Sequence, residues 1–182
     1  MKKQSLFFNI SYWCKLEVQH CIDMMHVEKN ICDSIIGTLL NVKGKTKDRV
    51  KARQDLVDMV ICSELHPQSI RRRTYLPLAY HTLSRKEKKM FCQCLRSVKV
   101  PQGYSSNISS LVSMQALKLV GLKSHDCHVL MQQLLPVAIR AILPPSVRGI
   151  LTHLCMFFNA ICKKVIDLRV LDDIENEAIR LL

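Results

Sequence analysis

The chain is short of residues that break regular structure: 182 residues contain only 5 glycines and 6 prolines. Flexible linkers and collagen-like repeats need far more of both, so composition points to a packed globular protein. Long apolar runs are also missing. None approaches the roughly 20 residues a membrane helix requires, and Met1-Lys2-Lys3 is followed by no signal-peptide apolar segment. There is no glycine-rich phosphate cradle and no Ser/His/Asp arrangement, and no internal repeat or low-complexity tract. The nine cysteines are odd in number and scattered, so they make no disulfide framework. Cys92-Gln93-Cys94 is too tight for a Cys-x-x-Cys metal knuckle. Cys32, Cys127, Cys155 and Cys162 fall at apolar helical positions, where a free thiol acts as a small hydrophobe. A reducing compartment, cytosol or nucleus, is expected.

Acidic charge is scarce as well. Asp and Glu number 15 against 27 Lys and Arg, a net charge of +12. The imbalance is uneven: residues 1–100 hold 19 basic against 9 acidic side chains, and residues 101–182 hold 8 against 6. A first half this basic suits a polyanion, most commonly nucleic acid, or simply a solvated basic surface. Lys43, Lys45, Lys47, Arg49, Lys51 and Arg53 concentrate the charge where a helix is expected to begin, with Thr46 as its N-cap. Cations in a first turn oppose the helix dipole, so helix stability does not explain them. Arg71, Arg72 and Arg73 form a second cluster, in a loop after Pro67; Arg forks suit phosphate, and a localisation patch is the other reading.

What the sequence has in plenty is helical periodicity. Asp23 to Leu40 puts Met24, Val27, Ile31, Ile35 and Leu39 on one side at 100° per residue, widened by Cys32, Ile36 and Leu40. Glu28 lies in the middle of that apolar face, where an acid needs a partner. Ser84-Arg85-Lys86-Glu87 is a capping box opening a helix that buries Met90, Phe91, Cys94, Leu95 and Val98. Further helices are expected over Ile108–Val120 and from Ser124 on, with Pro136 kinking or splitting the latter. Val147–Val165 and a last helix starting at Asp172 or Asp173 complete the series. Period-2 alternation is absent apart from Ser5–Ile10, a short strand or a buried lead-in.

Two pairs have one-turn spacing. Asp23 and His26 stand three apart, as do His125 and His128, so each pair can reach one point. Together Asp23, His26, His125 and His128 have the makings of a four-ligand structural zinc site clamping two helices. The other reading is a helix N-terminus at each place, with Asp23 favouring the dipole and His128 packed on a flank.

The stretch HCIDMMHVEKNICDSIIGTLLNVKGKTKDRVKARQDL, from His20 to Leu56, resembles a segment of plant CACTA-type (En/Spm-like) DNA transposon transposases. ELHPQ at Glu64–Gln68, VKVPQGYSSNIS at Val98–Ser109 and GLKSHDCHVLMQQLLPVAIRAILP at Gly121–Pro144 resemble the same proteins in the same order. Asp23-x-x-His26 is similar to a Cys/Asp-x-x-His signature shared by several cut-and-paste transposases.

The resemblance implies a nuclear, transposon-encoded plant protein that works on DNA. It implies that residues 1–60 are the end of a transposase core, 61–120 a basic loop and helical connector, and 121–182 the start of a plant transposon-associated helical domain. Such enzymes use converging acidic residues and divalent metals for phosphoryl transfer. No acid here matches that triad by motif, so a catalytic metal is expected only in a complete parent protein, and no catalytic residue is assigned. The expected fold is all-α, about six or seven helices, with at most one short N-terminal strand left from an RNase H-like core. The expected partners are DNA and the rest of a transposase or other copies of the chain, with no membrane and no small-molecule substrate. The alternative is a transposase-derived DNA-binding or protein-interaction module without catalysis.

Overall fold

Asp23 fixes the start of the first helix, α1 (Met24–Leu39), by accepting the His26 N–H at 3.1 Å. The computed structural model describes residues 10–15, 22–70, 73–99 and 106–181. Glu28, Cys32, Ile36, Gly37 and Leu39 are the buried positions of α1, the stripe its spacing dictates. The chain leaves α1 through Asn41 at φ 50°, a left-handed position that Asn tolerates. It then folds back so closely that a Cβ on Gly37 would sit 2.7 Å from Lys45 Cβ. That approach is why position 37 is glycine despite its poor helix propensity.

The second helix, α2 (Val50–Asp58), starts later than expected. Thr46 does not cap it: its Oγ1 accepts the Asp48 N–H at 3.2 Å, an ST-type turn inside the loop. Arg49 takes the N-cap position with no side-chain cap. Beyond α2, Gln68–Ile70 (β1) and Arg73–Tyr75 (β2) pair antiparallel, Gln68 opposite Tyr75, with every residue exposed. The third helix, α3 (Arg85–Arg96), begins with the expected capping box: Glu87 accepts the Ser84 N–H at 2.7 Å and Ser84 accepts the Glu87 N–H at 3.3 Å. Its buried face holds Phe91, Cys92 and Leu95, whereas Met90 remains 40% exposed.

The segment 108–120 is not a helix. A 3-10 turn, Ile108–Leu111, leads into a hairpin of Val112–Ser113 (β3) against Lys118–Leu119 (β4). Ser113 Oγ accepts the Ala116 N–H at 3.3 Å and Leu117 takes φ 48°. Such local side-chain bonding offers the backbone an alternative to the helix that its apolar spacing suggests.

The next helix, α4, is α-helical over Ser124–Val129, widens to a π turn over Leu130–Leu134, and returns to α over Leu135–Ile139. Pro136 explains the widening, because it cannot donate to the ladder and its ring crowds the carbonyl four residues back. The helix is neither split nor ended. Asp126 closes its start, accepting the Lys123 N–H at 2.9 Å and the Ser106 hydroxyl at 2.7 Å. Pro145 opens α5 (Pro145–Ile161), where a missing N–H costs nothing. The last helix, α6 (Leu171–Leu181), carries Asp172 and Asp173 in its first turn, behind a 3-10 turn capped by Asp167.

One core joins these elements: Cys32 and Ile36 of α1, Phe91 and Leu95 of α3, Leu130, Met131, Leu135 and Ile139 of α4, and Phe158 of α5. It draws on residues from either side of the expected divisions at 60/61 and 120/121. Cys32 and Cys127 lie beside each other where α1 meets α4, and that pairing together with burial pushes the Cys32 thiol up. The described residues are thus mostly helical, six helices with two short hairpins that periodicity did not disclose. The expected strand at Ser5–Ile10 lies, apart from Ile10, outside them. Among them no helix is long and apolar enough to cross a membrane.

Candidate nucleic-acid interface

The loop between α1 and α2 and the first turn of α2 expose Lys43, Lys45, Lys47, Arg49 and Lys51. Two of these also hold the loop together. Lys45 Nζ pairs with Asp33 Oδ1 at 3.0 Å while staying 56% exposed, and Arg49 donates to the Thr46 carbonyl at 3.0 Å and the Gly44 carbonyl at 2.7 Å. Burial pushes Asp33 up, but the hydrogen bonds from Lys45 and Lys29 outweigh it and hold the carboxyl below its usual range. Lys43, Lys47 and Lys51 take part in none of the ion pairs among the described residues.

Arg53 has a different job from its neighbours. Its side chain is 3% exposed, and it donates to Asp48 Oδ2 at 2.8 Å, the Leu65 carbonyl at 3.0 Å and the Pro77 carbonyl at 3.2 Å. It ties α2 to the segments flanking the first hairpin and does not face solvent. Spacing alone could not separate it from Lys51, because only the tertiary fold shows which side of α2 is covered. Arg73, on β2, is exposed, and Arg71 and Arg72 lie outside the described residues.

The start of α3 adds cations distant in sequence from the basic loop. Lys88 Nζ donates to the Leu40 carbonyl at 2.8 Å, and His81 Nε2 lies 3.2 Å from Asp48 Oδ2. These contacts draw the front of α3 toward the basic loop, with Arg85, Lys86 and Lys89 exposed. Burial lowers the Lys88 ammonium, consistent with its structural use.

The expected zinc tetrad is not gathered. Asp23 is occupied as the N-cap of α1, and His26 and His125 are exposed. His125 stacks on His128 with ring centroids 6.5 Å apart, and His128 turns instead to Glu28, its Nδ1 2.7 Å from Oε2. Among the described residues the ligand atoms that converge are those of Glu28, His128 and Cys162, all within 4.8 Å of one another. Glu28 was conspicuous in the sequence as an acid on an apolar face. Its partner, 100 residues away, was not.

Fold and surface define a helical protein with a cationic edge. No protein-family model, no curated protein and no solved structure matches the chain.

Proposed function

We propose that the chain is the helical insertion region of a transposon-encoded, CACTA-type transposase and that it holds DNA through the sugar-phosphate backbone without reading sequence. The observation that carries the DNA contact is the exposure of Lys43, Lys47 and Lys51, which no carboxylate among the described residues neutralises. Cations left unneutralised by the protein are free to displace the counterions condensed on a duplex. The resemblance between His20 and Pro144 supports the transposase assignment, and with it a nuclear site of action and assembly with further transposase segments or copies. No cleavage step is assigned to this chain's own acids.

Fluorescence anisotropy with two duplexes of unrelated sequence tests the DNA contact. Equal affinities whose logarithm falls linearly with the logarithm of salt concentration are expected. Absence of binding at low salt would overturn it. A protein-interaction module without catalysis is the second reading, favoured by Met59, Val60 and Ile61, which follow α2 at 64%, 86% and 43% exposure.

A further inference from the structure

Glu28 is the least comfortable group in the core. It is 1% exposed, and among the described residues only one of its oxygens finds a partner: Oε2 accepts from His128, while the buried Oε1 has none. A buried carboxylate oxygen left unpaired is costly, and native folds seldom keep one without a reason. The third group present is the Cys162 thiol, 4.0 Å from Oε2 at the end of α5. Gln132, one turn beyond His128, places its amide 3.1 Å from the same imidazole nitrogen and helps cover the cluster.

We propose that Glu28, His128 and Cys162 form a structural site for one zinc-class divalent ion, joining α1, α4 and the end of α5. Carboxylate, imidazole and thiolate are the three ligand types zinc accepts, and a mixed set with a thiolate disfavours magnesium and calcium. Zinc bond lengths of about 2.0–2.3 Å place tetrahedral ligand atoms roughly 3.3–3.8 Å apart. The Nδ1–Oε2 separation of 2.7 Å must open and the Sγ–Oε2 separation of 4.0 Å must close, both by side-chain rotation. Oε1 is already in place to take a second bond to the ion or to hydrogen-bond a bound water in the fourth position. Binding releases the thiol proton to solvent, while the imidazole proton moves by way of water from Nδ1 to Nε2, leaving thiolate, neutral imidazole and carboxylate on the ion. Such a clamp spans sequence separations of 100 and 134 residues, where closure constrains the unfolded chain strongly. The site shares only His128 with the tetrad that spacing suggested.

Cobalt(II) titration of the metal-free, fully reduced chain tests this. One equivalent should give a thiolate-to-cobalt charge-transfer band and tetrahedral visible bands, and zinc should displace both and raise Tm. The charge-transfer band should vanish in Cys162→Ser and persist in Cys62→Ser, whose thiol is exposed and is not among the converging ligand atoms. A missing charge-transfer band in the parent chain, or a band that survives in folded Cys162→Ser, would overturn the proposal. Should Cys162→Ser fail to fold, alkylation of the parent chain decides. Zinc slowing Cys162 at least tenfold while sparing Cys62 supports the site, and an unchanged Cys162 rate overturns it.

Discussion

Replacing Arg53 with methionine should cost far more stability than any other basic substitution in the loop, and should leave DNA affinity intact. The guanidinium satisfies Asp48 and two main-chain carbonyls from a position 3% exposed, and methionine keeps most of the apolar stem while removing every donor. Breaking a buried ion pair costs about 3–5 kcal/mol. Asp48 is 19% exposed and keeps His81 nearby at 3.2 Å, which softens the loss, so about 2–4 kcal/mol is expected. Urea denaturation followed by far-UV circular dichroism should show the midpoint falling by about 1–2 M. Lys51→Met, on the exposed side of the same turn, should stay within about 0.5 kcal/mol of the parent. The hydrogen bond from Arg53 holds the Asp48 carboxyl below its usual range. A depressed carboxyl contributes its stability in full above the ordinary Asp value of about 3.9 and loses it as pH falls through the folded value. The parent should therefore lose stability below about pH 4 more steeply than Arg53→Met does. Equal midpoint shifts for Arg53→Met and Lys51→Met would refute this assignment of roles.

Gly37→Ala tests the close approach of the loop to α1: alanine's helix propensity predicts a gain of roughly 1 kcal/mol. The 2.7 Å contact with Lys45 Cβ predicts instead a net loss of about 1–2 kcal/mol in thermal or urea unfolding. Ser84→Ala should cost about 1 kcal/mol by removing one half of the capping box, and a change below a few tenths would deny the cap its role. In the native state a maleimide should label Cys62 before the other described cysteines, with Cys32, Cys92, Cys127 and Cys155 protected until the chain unfolds. Burial and the nearby Glu28 charge push the Cys155 thiol up to about 12, so raising pH to about 9 should not expose it to reaction.

Local rules carried the helices well, because their cues sit within one turn. Asp23 with His26 and Ser84 with Glu87 are caps readable from spacing, and both are present in the structure. Segment 108–120 forms a hairpin where periodicity predicts a helix, because Ser113 and the left-handed Leu117 turn the chain back, and apolar spacing carries no mark of either. Pro136 was correctly suspect, but a π turn absorbed it without splitting the helix. For the surface, composition located the basic loop, yet only packing separates exposed Lys47 and Lys51 from buried Arg53. The Glu28–His128–Cys162 cluster unites residues whose separation in sequence leaves no periodic trace. The acid on an apolar face was the one local cue, and it named a need without naming a partner.

Phosphate contact by the loop cations and by Lys51 at the start of α2 must show in the salt dependence of DNA binding. Affinity for a single unrelated duplex is measured across salt concentrations for the parent chain and for a variant with Lys43, Lys45, Lys47 and Lys51 changed to Gln. Each lost phosphate contact should reduce the slope of log affinity against log salt by about 0.9, so a flattening of roughly 2–4 is predicted. Circular dichroism should match the parent and the stability from urea unfolding should fall by no more than the roughly 0–1 kcal/mol of the exposed Lys45–Asp33 pair, since all four side chains are exposed. An unchanged slope in the folded variant would contradict the claim.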